Sequence, residues 1–170
     1  TDIAASIETL NKMLDSVLTV SKLQARVVTP VVSSVSINSI LQRCYAANSA
    51  AAKQKRLQLR LRSTDVVCET DPDMLFRAVN NLVDNAVKYT ESGGIIIGVR
   101  RRFGGHAIFV MDSGVGIPED SFDKIFEEFI MLNDLSRKSA GSGLGLSIVK
   151  RTVHLLGMRI RTESKVGVGS

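Results

Sequence analysis

Apolar residues recur at every second position in some stretches of this chain and at every third or fourth in others, and that contrast lays out most of its elements. In residues 3–26, Ile3, Ile7, Leu10, Leu14 and Val17 alternate steps of four and three, the heptad seam of a helix packed along a partner helix. Pro30 ends that helix, and the β-branched run 31–37 reads as a short strand or linker. Residues 38–54 read as a helix, with Asn38 as its cap and Ile40, Leu41, Cys44, Tyr45 and Ala51 on the buried side. "LQLRLR", 57–62, alternates strictly and predicts a half-buried strand, and "VVCET", 66–70, a second one. Asp71 followed by Pro72 is a helix start, and the helix it opens runs to Tyr89. "SGG", 92–94, is a turn; "IIIGVRRR" and "HAIFVMD" are two strands joined by "FGG". A short helix around 118–128, a long polar loop, a helix at 144–156 and a strand at 158–163 complete the pattern. This order predicts an α+β fold, a two-layer α/β sandwich with a mixed, mostly antiparallel sheet, plus an N-terminal helix. The expected division is a helical segment at 1–27 and a globular domain at 28–170.

Composition narrows the reading without redirecting it. A chain of 170 residues with 44% apolar residues can bury a core without disulfides or metals. It contains no apolar run of 18 residues, so no membrane span is expected in it, and no signal peptide is expected at its start. Cys44 and Cys68 stand alone, as in a reduced cytosolic protein, and His106 and His154 lack the spacing to complete a zinc site with them. The formal charge of +5 comes from clusters at Lys53–Arg62 and Arg100–Arg102. Aromatics are only 5% and do not interleave with those clusters, so stacking platforms for nucleic acid are missing. Basic strand edges that resist edge pairing, an anionic ligand or an acidic partner remain as explanations.

The helix at 72–89 changes the picture. Phe76, Val79, Val83, Ala86, Val87 and Thr90 share one side of it, which faces the core. Asn81, Asn85 and Lys88, spaced four and three, share the opposite side and converge on one small volume. Asn is a poor helix former, so the face is either merely solvated or a cradle for a polar ligand. A neutral carboxamide oxygen suits Mg²⁺ where a triphosphate already supplies the negative charge.

Two glycine loops supply what such a ligand needs. "DSGVGIP", 112–118, follows a strand; its glycines let a group approach the backbone, and Asp112 could accept a hydrogen bond from an exocyclic amine such as that of adenine. An ordinary Asp-Gly turn is the competing explanation. "GSGLGLSIVK", 141–150, leads Gly141, Gly143 and Gly145 into a helix, where free amides and the positive helix end form an anion nest. It has neither the Gly-Lys of a Walker loop nor the strand context of a dinucleotide fingerprint; a flexible linker is its alternative. The polar stretch between the loops has the length of a lid.

"NNLVDNAVKYT", "DSGVGIP", "FEEF" and "GSGLGLSIVK", in this order, resemble the Asn, first glycine, phenylalanine and second glycine boxes of sensor histidine kinases. Those kinases share an ATPase superfamily with gyrase, the Hsp90 chaperones and MutL. "TDPDMLFRAVNNL" and "TESKVGVGS" are similar to the family's approach to the Asn box and its closing glycine turn. The resemblance covers residues 31–170 and implies a Bergerat-type fold with ATP between helices and lid. It implies Asn85 as the Mg²⁺ ligand, Asn81 and Lys88 at the phosphates, and Tyr89 lining the pocket. Asp112 would hold the adenine amine over Gly114 and Gly116, with Gly141, Gly143, Leu144 and Gly145 bringing amides to the phosphates. "SIETLNKMLDSVLTVSKLQARVV" resembles the second helix of the family's dimerisation hairpin.

The function so implied is ATP-dependent phosphoryl transfer to a histidine, in a cytoplasmic segment that could belong to a membrane-anchored sensor. The partners implied are the phosphoacceptor hairpin of the same protein, a response regulator or receiver domain, and a second copy in a homodimer. The phosphoacceptor box itself is absent, which implies a longer parent protein; His106 and His154 are read as structural. Ile130 and Met131 stand where many relatives carry an aromatic residue and an Arg, leaving Arg137 or Lys138 as the cationic lid contact. Relatives continue past the position of Ser170, so one sheet edge is expected to be incomplete. The rival functions are a degenerate kinase that only binds nucleotide and an ATP-hydrolysing clamp. Asn81 cannot act as a general base, which disfavours hydrolysis.

Overall fold

The computed structural model describes residues 28–102, 104–130 and 143–170, together with Ile7, Leu14, Leu18 and Ser21 in helical conformation ahead of them. Of the expected heptad seam, Ile3, Leu10 and Val17 lie outside the described residues. Ile7, Leu14 and Leu18 are 57%, 53% and 54% exposed, and their spacing puts them on one helix face.

The first strand, β1 (Ser33–Ser36), leads directly into α1 (Ile37–Gln54). The buried stripe of α1 is Ile37, Ile40, Leu41, Cys44, Asn48 and Ala52. Tyr45 and Ala51, expected inside, are exposed: the stripe turns one position further, through Ala52. Asn48 sits within it because its amide donates to Cys44 O at 2.8 Å and to Asn80 Oδ1 at 2.9 Å, which removes the cost of burying it. Asn38 does not cap the helix. Ser36 holds the cap position, and the Asn38 carboxamide instead accepts the Thr64 N–H at 3.3 Å. Burial pushes the Cys44 thiol up to about 11, as expected of a packed, unreactive cysteine.

β2 (Gln58–Leu61) and β3 (Val67–Thr70) follow, then α2 (Pro72–Tyr89), β4 (Gly94–Arg102), β5 (Gly105–Asp112) and α3 (Gly145–Leu155). β1 pairs antiparallel with β3, β2 runs parallel to β4, and β4 runs antiparallel to β5. The sheet is thus mixed and mostly antiparallel, divided into β1–β3 and β2–β4–β5. The expected helix at 118–128 is two short 3₁₀ turns, Glu119–Ser121 and Lys124–Phe126. Residues 158–163 form no strand. They keep the in–out alternation of one, with Met158, Ile160 and Thr162 turned partly inward; outward, Glu163 pairs with Arg102 and Arg161 at 3.2 Å each. The alternation visible in the sequence reports that one-sided burial, not a ladder. The core lies between the helices and β4, around Leu41, Val83, Ile95 and Ile97.

Both ends of α2 are fixed by side chains. At the start, Asp71 Oδ1 accepts the N–H groups of Asp73 and Met74 at 3.0 and 2.9 Å, while Oδ2 accepts the N–H of Val31 at 2.8 Å. Burial alone would raise the Asp71 carboxyl; the amides of Met74, Val31 and Asp73, with the charge of Arg77, outweigh it and hold it below the usual range. At the other end, Lys55 Nζ donates to the carbonyls of Val87 and Lys88 at 2.8 and 2.7 Å and to that of Thr90 at 3.3 Å. A cation there satisfies helix-end carbonyls and complements the helix dipole. Lys55→Met should therefore cost about 1 kcal/mol, read as a lower urea midpoint with an unchanged m-value.

Candidate functional site

Asn81, Asn85 and Lys88 lie half-buried along one side of α2, the side that α3 approaches. Gly145, the first residue of α3, faces that side: a Cβ added to it would stand 3.9 Å from Asn85 Nδ2. The asparagine row and the second glycine loop, some 60 residues apart in the chain, therefore border one space. Gly143 has φ +69°, and a Cβ on it would come within 2.9 Å of the Phe129 backbone. Its carbonyl accepts the Phe129 N–H at 3.1 Å. The end of "FEEF" and the start of the glycine helix thus meet backbone to backbone on either side of residues 131–142. An ion pair between Glu128 and Arg151 binds the same two segments. Leu144 is buried beside Ile148 and anchors the loop from below.

The first glycine loop closes under the C-terminal end of α2. A Cβ on Gly114 would stand 2.6 Å from Tyr89 O, 2.8 Å from Asp112 Oδ1 and 3.1 Å from Thr90 Oγ1, so only glycine fits there. Asp112 Oδ1 accepts the Gly114 N–H at 2.8 Å. Burial pushes the Asp112 carboxyl above the usual carboxylate range, against the opposing pull of the Gly114 and Ser170 amides. Lys88 lies over the Tyr89 ring, 5.1 Å from its centroid, within cation–π range.

Three residues of this corner were not read from sequence as part of a site, Thr90 being expected only on the core-facing side of the helix. Thr90 Oγ1 is fully buried and has no hydrogen-bond partner among the described residues. Ser164 Oγ accepts the Ile117 N–H at 2.7 Å, and Ser170 exchanges backbone hydrogen bonds with Asp112 at 2.9 and 3.3 Å. The glycines of "VGVGS" were the available signal: Gly169, at φ +131°, would put a Cβ 2.0 Å from Asp112 O. The terminal turn thus packs on the carboxylate loop. Arg137, Lys138 and Gly141, like Met131, lie outside the described residues. His106 and His154 are exposed rather than packed structural residues.

The residues present fit a bound nucleotide. A half-buried carboxylate and an orphan hydroxyl lie at the C-terminal end of the asparagine helix; one turn back along the helix, a bare Cα beside the Asn85 carboxamide leaves room where a side chain would stand. An α/β sandwich with helices on one face and two glycine loops meeting an asparagine helix defines an ATPase of the nucleotide-cradling kind. The chain belongs to the histidine kinase-, DNA gyrase B- and HSP90-like ATPase family, whose sequence pattern matches residues 70–170. It is 34% identical to the sensor histidine kinase AruS of Pseudomonas aeruginosa over 99% of its own length, which is 18% of that protein. It is 32% identical to the aerobic respiration control sensor ArcB of Escherichia coli over 99% of its length, 22% of that protein. The chain therefore spans about a fifth of these curated relatives. Among solved structures it superposes on full-length ShkA in complex with AMPPNP with a TM-score of 0.82 at 27% identity, covering 94% of this chain and 34% of that one. The catalytic domain of the histidine kinase ThkA matches with a TM-score of 0.62 at 26% identity, over 74% of this chain and 81% of that one.

Proposed function

We propose that this chain is the ATP-binding catalytic part of a two-component sensor histidine kinase. In this reading a histidine ring nitrogen on a neighbouring helical hairpin attacks the γ-phosphorus, and ADP leaves. The observation that carries it is the approach of Gly145 to Asn85, 3.9 Å from its added Cβ to the carboxamide nitrogen, in the middle of a row whose Lys88 end leads to the Asp112 loop. The AMPPNP bound to the similar ShkA supports ATP as the ligand.

Asp112 accepts a hydrogen bond from the adenine amine above the floor made by Gly114 and Gly116, and Tyr89 lines the pocket. Asn81 and Lys88 meet the phosphates, and Gly141, Gly143, Leu144 and Gly145 offer amides to them. Asn85 is the protein ligand for Mg²⁺, which when bound neutralises charge on the transferring phosphate. Arg137 or Lys138 supplies a cation from the lid. Because Asn81 is no base, catalysis rests on positioning and charge neutralisation, and water is a poor competitor. The exposed stripe of Ile7, Leu14 and Leu18 supports residues 1–27 as the second helix of a dimerisation hairpin. A homodimer, a receiver domain as the next acceptor and a cytoplasmic location complete the reading.

The test supplies an acceptor hairpin with γ-labelled ATP. Labelled phosphohistidine is expected. ATP binding without transfer would indicate a degenerate kinase, and steady hydrolysis without acceptor a clamp.

The adenine contact is tested by Asp112→Asn, which should reduce the preference for ATP over GTP; an unchanged preference would remove Asp112 from base recognition. Its pH dependence has a defined sign. With the folded-state pKa raised, this carboxyl favours the folded chain most below the ordinary carboxylate pKa, and that contribution is lost as pH rises through the raised value. Adenine recognition needs the ionised form and runs the other way. ATP affinity should fall on acidification at a higher pH than an ordinary carboxylate would cause, and Asp112→Asn should flatten that limb of the titration.

A further inference from the structure

The segment entering the domain from the N-terminal helix is held at two points, and both belong to the machinery around the nucleotide. Val31 and Val32 are 76% and 58% exposed, so their side chains do not anchor it. The anchor is the backbone: the Val31 N–H donates to Asp71 Oδ2 at 2.8 Å, across 40 residues of sequence. The other oxygen of the same carboxylate caps α2, the asparagine helix. Three residues earlier, Val28 packs into a cluster with Met74, Leu144, Ile148 and Leu155. Met74 is in the first turn of α2, and Leu144 lies within the second glycine loop.

A helix cap needs one carboxylate oxygen. Ser or Asn would serve α2 about as well, yet here the second oxygen reaches out to the backbone of Val31, whose side chain is exposed. A charge-assisted bond of this length outweighs a neutral one. It fixes the direction of the backbone ahead of β1.

We propose that Asp71 is a positioning residue for phosphoryl transfer, clamping the linker so that the nucleotide domain faces the histidine-bearing hairpin in a restricted set of orientations. The proposal rests on the kinase reading above. Transfer between tethered domains depends on the effective concentration and orientation of the acceptor; loosening residues 28–32 lengthens the tether and widens the angles sampled. The Val28 cluster makes the clamp a continuous packed connection to the glycine loop.

Two substitutions separate clamp from cap. Asp71→Ser keeps a capping oxygen but is too short to serve Val31 as well. Val31→Pro removes the donor and leaves Asp71 and its cap intact. Each is placed in the whole protein carrying the acceptor hairpin, and three quantities are read: ATP affinity by calorimetry, the initial rate of phosphohistidine formation at saturating ATP, and the unfolding midpoint. The expected result for both is an ATP affinity within about twofold of the parent and a transfer rate lower by about fivefold or more. Asp71→Glu, which retains two acceptor oxygens, should recover part of that rate. Unchanged or faster transfer in both variants overturns the proposal, and so does a loss of rate matched by an equal loss of ATP affinity, which marks Asp71 as a cap alone. If the unsubstituted protein binds ATP but makes no phosphohistidine, the kinase reading fails and the clamp fails with it; if it transfers and the variants do so equally well, only the clamp fails.

Discussion

Asn85→Ala is expected to weaken Mg²⁺-dependent ATP binding by roughly 1.5–3 kcal/mol, about 10- to 150-fold, the scale of a lost interaction with a charged group. The folded chain should not notice. Asn85 is half-buried on α2, and Ala is the better helix former by about 0.5 kcal/mol. The thermal midpoint of the ligand-free chain should therefore stay level or rise while affinity falls. Titration with and without Mg²⁺ adds a sharper criterion: the difference between the two should shrink in the variant, since the lost group is a metal ligand. Equal affinity in variant and parent would remove Asn85 from the metal site and leave the row on α2 as a solvated face.

The second large effect separates two glycines that look alike in sequence. Gly116 has φ +72°, and a Cβ on it would stand 2.2 Å from Lys165 O. A left-handed residue with a side chain costs roughly 1–2 kcal/mol, and a clash with backbone cannot be relieved by rotating a side chain. Gly116→Ala should lower stability by more than about 2 kcal/mol and loosen the terminal turn that packs on Asp112. At Gly145 the added Cβ would meet only Asn85 Nδ2, at 3.9 Å, an ordinary van der Waals contact. Gly145→Ala should leave the unfolding midpoint almost unchanged and still reduce ATP affinity about tenfold or more, because the methyl stands where phosphate must approach the amides. Denaturation curves and calorimetry on the two variants check both halves. A destabilised Gly145→Ala, or one that binds ATP normally, would refute the assignment of that space to the nucleotide.

The parts of this molecule legible in its sequence are those where one physical demand acts alone. The apolar side of α2 follows from period, and its start from the Asp71–Pro72 pair. The glycine loops declare themselves because close approach of backbone tolerates no other residue. Reading failed where two demands met in one residue. Asn48 looks like a surface residue and is buried, because one of its two partners, Asn80, is tertiary. Tyr45 carries an apolar ring with a polar tip and sits at the margin of the stripe. Asn38 has capping chemistry but lies two residues past the cap position of Ser36, where Thr64, 26 residues away, uses it. At 158–163 alternation predicts a strand, although burial on one side is enough to produce it. Ser164 and Ser170, and the unpaired hydroxyl of the core-facing Thr90, were not legible as parts of the site for a simpler reason: hydroxyls are common, and only the folded chain shows which of them lie around the first glycine loop.

The backbone bond between Phe129 and Gly143 has a consequence for how this family can vary. Since those residues touch, the two ends that flank 131–142 are pinned together by contacts outside that interval. Each doubling of such a stretch adds only about 0.6 kcal/mol of closure entropy. A change in the number of residues between these pinned ends should therefore cost the fold little.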